Sequence, residues 1–228
     1  MPIPHVVFIV PYRNREEQKY FFATYMSNII LADVNYSYEI YFSHQNDTRP
    51  FNRGAVKNIG FQAVAKKYPN HYRDIIFIFN DIDTVPFKPE LLNFNNVPHG
   101  TVRHFYGFKY ALGGIVAFRG GDFEATNGYP NLWGWGMEDC ILQKRCESIN
   151  LSIDRSVFFP IRNPNIFQLF DGVTRNTNAE EASTALYAPE SLKRNGLRSI
   201  RNLKYNIKPD DTNYRKNIHS NIFMIDIN

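Results

Sequence analysis

Three apolar runs, each closed by a polar loop, limit what this chain can fold into. His5-Val6-Val7-Phe8-Ile9-Val10 stops at Pro11. Tyr38-Glu39-Ile40-Tyr41-Phe42 leads into a polar loop from Ser43 to Pro50. Asp74-Ile75-Ile76-Phe77-Ile78-Phe79 ends in Asn80-Asp81-Ile82-Asp83. Unbroken apolar runs of this length read as strands buried on both faces, the core of a parallel sheet. Between the first two, Phe22, Tyr25, Met26, Ile29 and Ile30 make one helical apolar stripe. Between the second and third, Asn52 is placed to cap a helix running to about Lys67, with Ala55, Ile59 and Ala63 inward. Residues 1–85 therefore predict strand, helix, strand, helix, strand, a nucleotide-binding type of α/β half.

In such sheets ligands sit beyond the carboxyl ends of the strands. Arg13, Arg15, Phe51, Arg53, Asp81 and Asp83 all fall there, on three separate loops. Beyond Pro86 the alternation loosens. Phe105 to Tyr110 and Gly114 to Phe118 predict strands, and the Gly113-Gly114 pair between them predicts a bulge or a close backbone approach. Asp122 to Thr126 predicts a short helix before an Asn127-Gly128 turn, Val157 to Phe159 a strand, and Ile222 to Ile227 a last strand. Residues 162–186 show little periodicity, which in a compact domain marks a functional lid or a disordered segment. With neither internal repeat nor low-complexity linker, residues 1–228 read as one domain.

The chain's two tryptophans stand two apart in Asn131-Leu132-Trp133-Gly134-Trp135-Gly136-Met137-Glu138-Asp139-Cys140. Ile141, Leu142, Cys146 and Ile149 follow at helical spacing, so a glycine-hinged aromatic loop opens into a helix. Glu138 and Asp139 fall in or just before its first turn, where unpaired N–H groups favour negative charge. Asp139 should thus stay ionised at neutral pH, as a general base must. The indoles offer flat faces for a sugar ring; the plainer alternative is a buried Trp pair with carboxylates that merely cap a helix.

A net charge of +4 over 228 residues suits a phosphate-bearing small ligand and is too scattered for nucleic acid. Lys193, Arg194, Arg198, Arg201 and Lys204 read as a solvated face. Nothing approaches the roughly 18 consecutive apolar residues of a membrane span, and the amino terminus lacks a signal-peptide pattern. Cys140 and Cys146 suit neither zinc nor an easy disulfide. A cytoplasmic setting is the expectation.

Asp81-Ile82-Asp83 puts two carboxylates on one side of an extended segment, where both can face one hard cation that in turn holds a diphosphate. Arg13, Arg15 and Arg53 match phosphate oxygens, and Phe51 can stack on a base. The matching reaction is glycosyl transfer from a nucleotide sugar, with a carboxylate taking the proton from the attacking hydroxyl.

The pieces Val10-Pro11-Tyr12-Arg13-Asn14-Arg15-Glu16-Glu17, Gln45-Asn46-Asp47 with Phe51-Asn52-Arg53, Phe79-Asn80-Asp81-Ile82-Asp83, Gly113-Gly114 and Asn127-Gly128-Tyr129-Pro130-Asn131, running into Trp133-Gly134-Trp135-Gly136-Met137-Glu138-Asp139, keep one order. In them the chain resembles the β-1,4-galactosyltransferase family, inverting enzymes of the GT-A fold, and the related galactosaminyltransferase domains of chondroitin synthases. The resemblance implies a GT-A type mixed α/β sheet flanked by helices, with a mobile lid loop. Residues 1–85 would form the nucleotide-binding half and residues 86–228 the donor-sugar and acceptor half. It also implies a UDP-sugar donor (Gal, GalNAc or GlcNAc), a glycan or glycoside acceptor, and a β-linkage. Pro11, Tyr12, Arg13, Arg15, Phe51, Arg53, Asp81 and Gly114 would hold the donor and its diphosphate. Trp135 would contact donor sugar and acceptor. Glu138 would bind sugar hydroxyls and Asp139 would be the base. Asp83, supported by Asp81, would ligate Mn2+ or Mg2+.

Three departures from the family pattern carry expectations. Asn163-Pro164-Asn165-Ile166-Phe167-Gln168 stands where the family supplies further metal ligands and holds no histidine. Gln168 or Asn165 then offers an oxygen, or metal binding weakens; His219 is the nearest downstream histidine. Ala111 replaces a tyrosine that limits room at the donor sugar's second carbon, so N-acetylhexosamine donors should be tolerated. The Golgi leader and paired cysteines of animal members are missing, which fits a cytosolic, microbial or viral setting. The alternative function is a catalytically weak nucleotide-sugar or carbohydrate-binding module. A nucleotidyltransferase gives the Trp-rich loop no role.

Overall fold

The computed structural model describes residues 2–170, 172, 180, 183–184, 195–210 and 221–227. The expected alternation is present: β1 (Val6–Tyr12), α1 (Glu16–Tyr25), β2 (Tyr38–Gln45), α2 (Arg53–Lys67) and β3 (Ile76–Asn80). Then come β4 (Thr84–Pro86), β5 (Thr101–Gly107), β6 (Ile115–Arg119), α3 (Gly120–Ala125), α4 (Glu138–Ser148), β7 (Ser152–Asp154), β8 (Phe159–Pro160), β9 (Ile166–Gln168), β10 (Tyr205–Pro209) and β11 (Ile222–Ile227). Among the described residues the main sheet runs β10-β11-β2-β1-β3-β6-β5-β7, with β8 beside β5. The strands β11, β2, β1 and β3 are parallel, and β6 runs antiparallel between β3 and β5.

Successive residues of β1 point to opposite faces. Val6, Phe8 and Val10 pack with Phe22 and Met26 on the α1 side. Val7 and Ile9 pack with Phe61, Val64, Phe77 and Phe79 on the α2 side. Both layers are fully buried, which is why the strands read as unbroken apolar runs.

The chain leaves β1 for β2 on one side and returns to β3 on the other. The switch point between β1 and β3 therefore opens at their carboxyl ends. Because β6 runs the opposite way, with Asn80 opposite Ile115, it delivers Gly113-Gly114 to that same end. A separate pairing of β4 with β9 sets Gln168 opposite Thr84, just past the third strand's acidic turn.

Several boundaries differ from expectation for local reasons. β1 does not stop at Pro11 but pairs with β2 through Tyr12. Its ladder to β3 ends at Ile9, so a residue without an N–H is tolerated where the second neighbour has gone. The apolar stripe after β1 breaks because α1 passes into a π-helical turn at Met26–Ile30; Met26 and Ile30 stay buried while Ile29 is exposed. Ile149 ends α4 and is likewise exposed. β5 starts at Thr101, earlier than expected, because its polar first half is held by ladder bonds and by Arg103 against Asp154. The bulge lies in β5 itself, between His104 and Tyr106. Arg198, Arg201 and Lys204 are exposed, whereas Lys193, Arg194, His219 and most of residues 171–186 of the expected 162–186 lid lie outside the described residues; within the 162–186 stretch Ile166–Gln168 form β9.

Asn52 caps α2 as the sequence predicts. Its side chain accepts from the Ala55 N–H at 2.9 Å and donates to Asn131 on the Trp-rich loop. Replacing Asn52 by Ala should lower unfolding stability by about 1–2 kcal/mol, read as a fall in denaturant midpoint at unchanged slope.

Candidate active site

A cleft of about 310 Å³ opens at the carboxyl ends of β1 and β3. Pro11 and Arg15 line it from the β1 end, and Phe51 and Arg53 from the start of α2. Asp81 and Asp83 enter from the turn after β3, and Gly113 and Gly114 from the turn before β6. Trp135, Glu138 and Asp139 close the opposite wall, with Gln168 at one edge. Asp83 and Asp139, 56 residues apart in the chain, thus share one cavity.

Arg53 is its hub. Nε donates to Glu138 Oε1 at 2.6 Å, Nη1 to Asp81 Oδ2 at 2.8 Å, and Nη2 to Asp139 Oδ2. Three carboxylates from two distant segments therefore meet on one guanidinium whose side chain is 13% exposed. Glu138 is fully engaged, since Oε2 also accepts from the Gly136 N–H at 3.1 Å. One turn further along α2, the buried Lys57 Nζ lies 3.2 Å from Asp81 Oδ1 and 3.8 Å from Asp139 Oδ1.

The approach of the Asp139 carboxylate depends on glycine. A Cβ at Gly113 would run into the Asp139 carboxylate, and at Gly114 (φ +72°) into the Tyr106 carbonyl. On the other side α4 starts from Met137, a non-glycine at φ +66°. A bulky residue in the left-handed region is strained, and strain of this kind gathers at working sites.

Burial and charge act oppositely on the two aspartates. Burial pushes the Asp139 carboxyl up to about 6; Arg53 and Lys57 oppose that shift, and Glu138 and Asp81 add to it. For Asp81 burial also pushes up, but Arg53 and Lys57 outweigh it and hold the carboxyl below its ordinary range. Asp139 is mostly ionised at pH 7, as expected, but its carboxyl is raised and not lowered at the helix terminus: burial dominates, and the neighbouring cations keep the rise in check.

Asp81 is poorly disposed as a metal ligand, because Arg53 and Lys57 flank its two oxygens. Among the described residues no group of three or more His, Cys, Asp or Glu side chains converges on a possible ion. Asp83 and Gln168 both line the cleft, and Arg15 Nη1 lies 3.8 Å from Asp83 Oδ2. The Leu169 N–H donates to the Asp83 carbonyl at 2.7 Å, and the Tyr106 hydroxyl donates to Gln168 Oε1 at 2.9 Å. Carboxylate and amide oxygens are hard donors suited to Mg2+ or Mn2+. The donor set fits such an ion. Asn165 is absent from the cleft lining, its carbonyl accepting from the Phe87 N–H.

Tyr12 and Arg13 also fall outside the cleft lining. Tyr12 is core, its hydroxyl donating to Glu16, and Arg13 donates to the Arg49 carbonyl. Neither tryptophan is buried: Trp135 is 40% exposed in the cleft wall, and Trp133 carries the Arg49 guanidinium over its ring at 4.4 Å. A buried Trp pair is thereby excluded. Sequence reasoning missed Lys57, although its spacing of four from Arg53 on a helix was a usable signal. It also missed His104, which carried none. Its Nε2 lies 3.0 Å from the Tyr106 carbonyl and 3.2 Å from that of Gly113, while Arg155 donates to its Nδ1.

A mixed sheet with its cleft at the β1–β3 switch point, an acidic turn on one wall and a carboxylate-bearing helix on the other defines a glycosyltransferase fold of the GT-A type. The fold is shared with a Drosophila β-1,4-galactosyltransferase 7 variant solved with manganese, UDP-Gal and xylobiose. That match has a TM-score of 0.73 at 20% identity and covers 99% of this chain and 94% of that one. The catalytic domain of the same Drosophila enzyme, solved with xylobiose, gives a TM-score of 0.70 at 22% identity, with the same coverage of 99% and 94%. The N-terminal region of glycosyl transferase group 7 matches residues 1–93, and the N-terminal domain of galactosyltransferase matches residues 101–168. Mus musculus β-1,4-galactosyltransferase 1 is 34% identical over 161 residues, 67% of this chain and 39% of that protein. Caenorhabditis elegans xylosylprotein 4-β-galactosyltransferase is 29% identical over 177 residues, 73% of this chain and 58% of that protein. The chain belongs to the β-1,4-galactosyltransferase family. It spans less than two thirds of the length of these relatives.

The raised Asp139 carboxyl has a signed consequence for stability. Between its ordinary value of 3.8 and about 6 the folded state binds the proton that the unfolded chain has released. Stability therefore falls as pH rises through that window. Asp139→Asn should flatten the melting temperature against pH between about 4 and 6, measured by thermal scans of both proteins. An unchanged slope would assign the titration elsewhere.

Proposed function

We propose that this chain is an inverting, metal-dependent glycosyltransferase that moves a hexose or N-acetylhexosamine from a UDP-sugar to a sugar hydroxyl with a β-linkage. The observation that carries the reading is the single cleft shared by Asp83 and Asp139. Residues 1–85 hold the nucleotide, and residues 86–228 the donor sugar and acceptor. Arg15 and the Asp83 edge face the diphosphate, Phe51 the base and Trp135 the sugar. Asp139 takes the proton from the acceptor hydroxyl as that oxygen bonds to the sugar's anomeric carbon; the carbon–oxygen bond to the diphosphate breaks, and UDP leaves with the electron pair. Attack from the face opposite the leaving group inverts the anomeric centre. Asp83 and Gln168 would hold a divalent cation, whose charge would offset that of the leaving diphosphate. Glu138, with both oxygens engaged, orients Arg53 and the Trp-rich loop.

Among the described residues no helix is long and apolar enough to cross a membrane. Cys140 and Cys146 are free thiols.

The test is UDP release from UDP-galactose and UDP-N-acetylgalactosamine with manganese, repeated with chelator and on Asp139→Asn. Transfer should fall about 10²–10⁴-fold in the variant, with UDP binding by calorimetry retained. Donor binding without turnover in the wild-type protein would instead favour a binding module. Ala111, 7% exposed in the cleft wall, gives a second expectation. Ala111→Tyr should reduce N-acetylgalactosamine transfer about tenfold or more relative to galactose transfer by filling the space beside the sugar's second carbon. Equal losses with both donors would refute that assignment.

A further inference from the structure

We propose that Lys57 is a positioning residue for Asp139, its buried ammonium standing beside Arg53 as the second positive charge that keeps the carboxylate charged and in place. The proposal rests on the reading of Asp139 as the base. Lys57 is completely buried in the middle of α2, on the same face as Arg53. Its Nζ lies 3.2 Å from Asp81 Oδ1, 3.8 Å from Asp139 Oδ1 and 4.8 Å from the centre of the Tyr129 ring. Nζ and both of those oxygens are buried; the Asp81 contact at 3.2 Å is short enough for a charge-assisted hydrogen bond, whereas Asp139 at 3.8 Å is reached by charge alone. Packing alone would be met by methionine or leucine, whereas an ammonium is expensive to desolvate unless anions face it.

The groups facing Asp139 are Arg53 and Lys57 from α2, Asp81 from the turn after β3, Glu138 and Cys140 from α4, and Tyr129 from the loop before it. Three carboxylates oppose two cations. Without Lys57 they oppose one, and both burial and the neighbouring anions then favour a protonated Asp139, which accepts no proton.

The variant is Lys57→Met, with Lys57→Gln as a second. The acid limb of the kcat–pH profile for manganese-supported UDP-galactose turnover should move up by about one pH unit or more, with the UDP Kd within about threefold of wild type. The Asp139 carboxyl, followed by 13C NMR and assigned by its loss in Asp139→Asn, should show the same displacement without any need for turnover. A displaced titration in a protein that transfers no sugar upholds the Lys57 pairing and sinks the transferase reading. Folded variants with an unmoved Asp139 titration and unmoved profile overturn the proposal. So does failure of both variants to fold, since the ammonium then serves folding and not the base.

Discussion

The guanidinium of Arg53 holds together parts of the chain that would otherwise repel one another. Asp81 arrives on the turn after β3, and Glu138 and Asp139 on the first turn of α4; all three donate negative charge to one poorly solvated space. Arg53, at the first position of α2, offers a rigid fork that meets each with a separate N–H direction. A lysine in its place would act as a point charge and leave at least one carboxylate unmatched. The surrounding backbone is shaped to permit the convergence: Gly113 leaves room for the Asp139 carboxylate, and Asn52 pins the start of α2 to Asn131 on the Trp-rich loop. The α2–β3–α4 junction is therefore at once a fold contact and the floor of the site.

The alternating half, residues 1–85, was largely legible in the chain because its signals are local. Apolar runs buried on both faces, a capping asparagine and a helical stripe each depend on neighbours a few residues away. The second half was harder. β5 begins with Thr101-Val102-Arg103-His104, which has no strand-like alternation and is held by pairing with β6 and β7. The site's cast was legible for a related reason: Asp83, Arg53, Trp135 and Asp139 all sit at element ends, where chain order predicts a common edge. What chain order cannot show is who pairs with whom. Arg53 reads as a phosphate ligand until it is seen bound to three carboxylates. Tyr12 reads as a binding residue until its ring is found in the core. Lys57 drew no reading, since its spacing from Arg53 shows a shared helix face but not its burial, which is decided by anions from segments 24 and 82 residues away.

Asp81 and Asp139 lean on the same two cations, yet their protons are pulled in opposite directions. Both oxygens of Asp81 lie within 3.2 Å of a cationic nitrogen, so the Coulomb gain exceeds the penalty of burial. Asp139 has one such contact, with Arg53, and a second cation at the longer distance of 3.8 Å, so burial wins and its carboxyl rises to about 6. A site that moves a proton near neutrality needs this division between a permanent anion and an exchangeable one. The permanent anion keeps Arg53 and Lys57 in place; the exchangeable one sits deep enough to be basic without being neutral at pH 7. If Asp81 were instead drawn onto a metal ion, both cations would be freed toward Asp139, lowering its basicity where the reaction requires it. Under the proposed function, a metal at the Asp83 and Gln168 edge would leave Asp81 with the cations, so that leaving-group neutralisation and proton transfer would not compete for the same carboxylate.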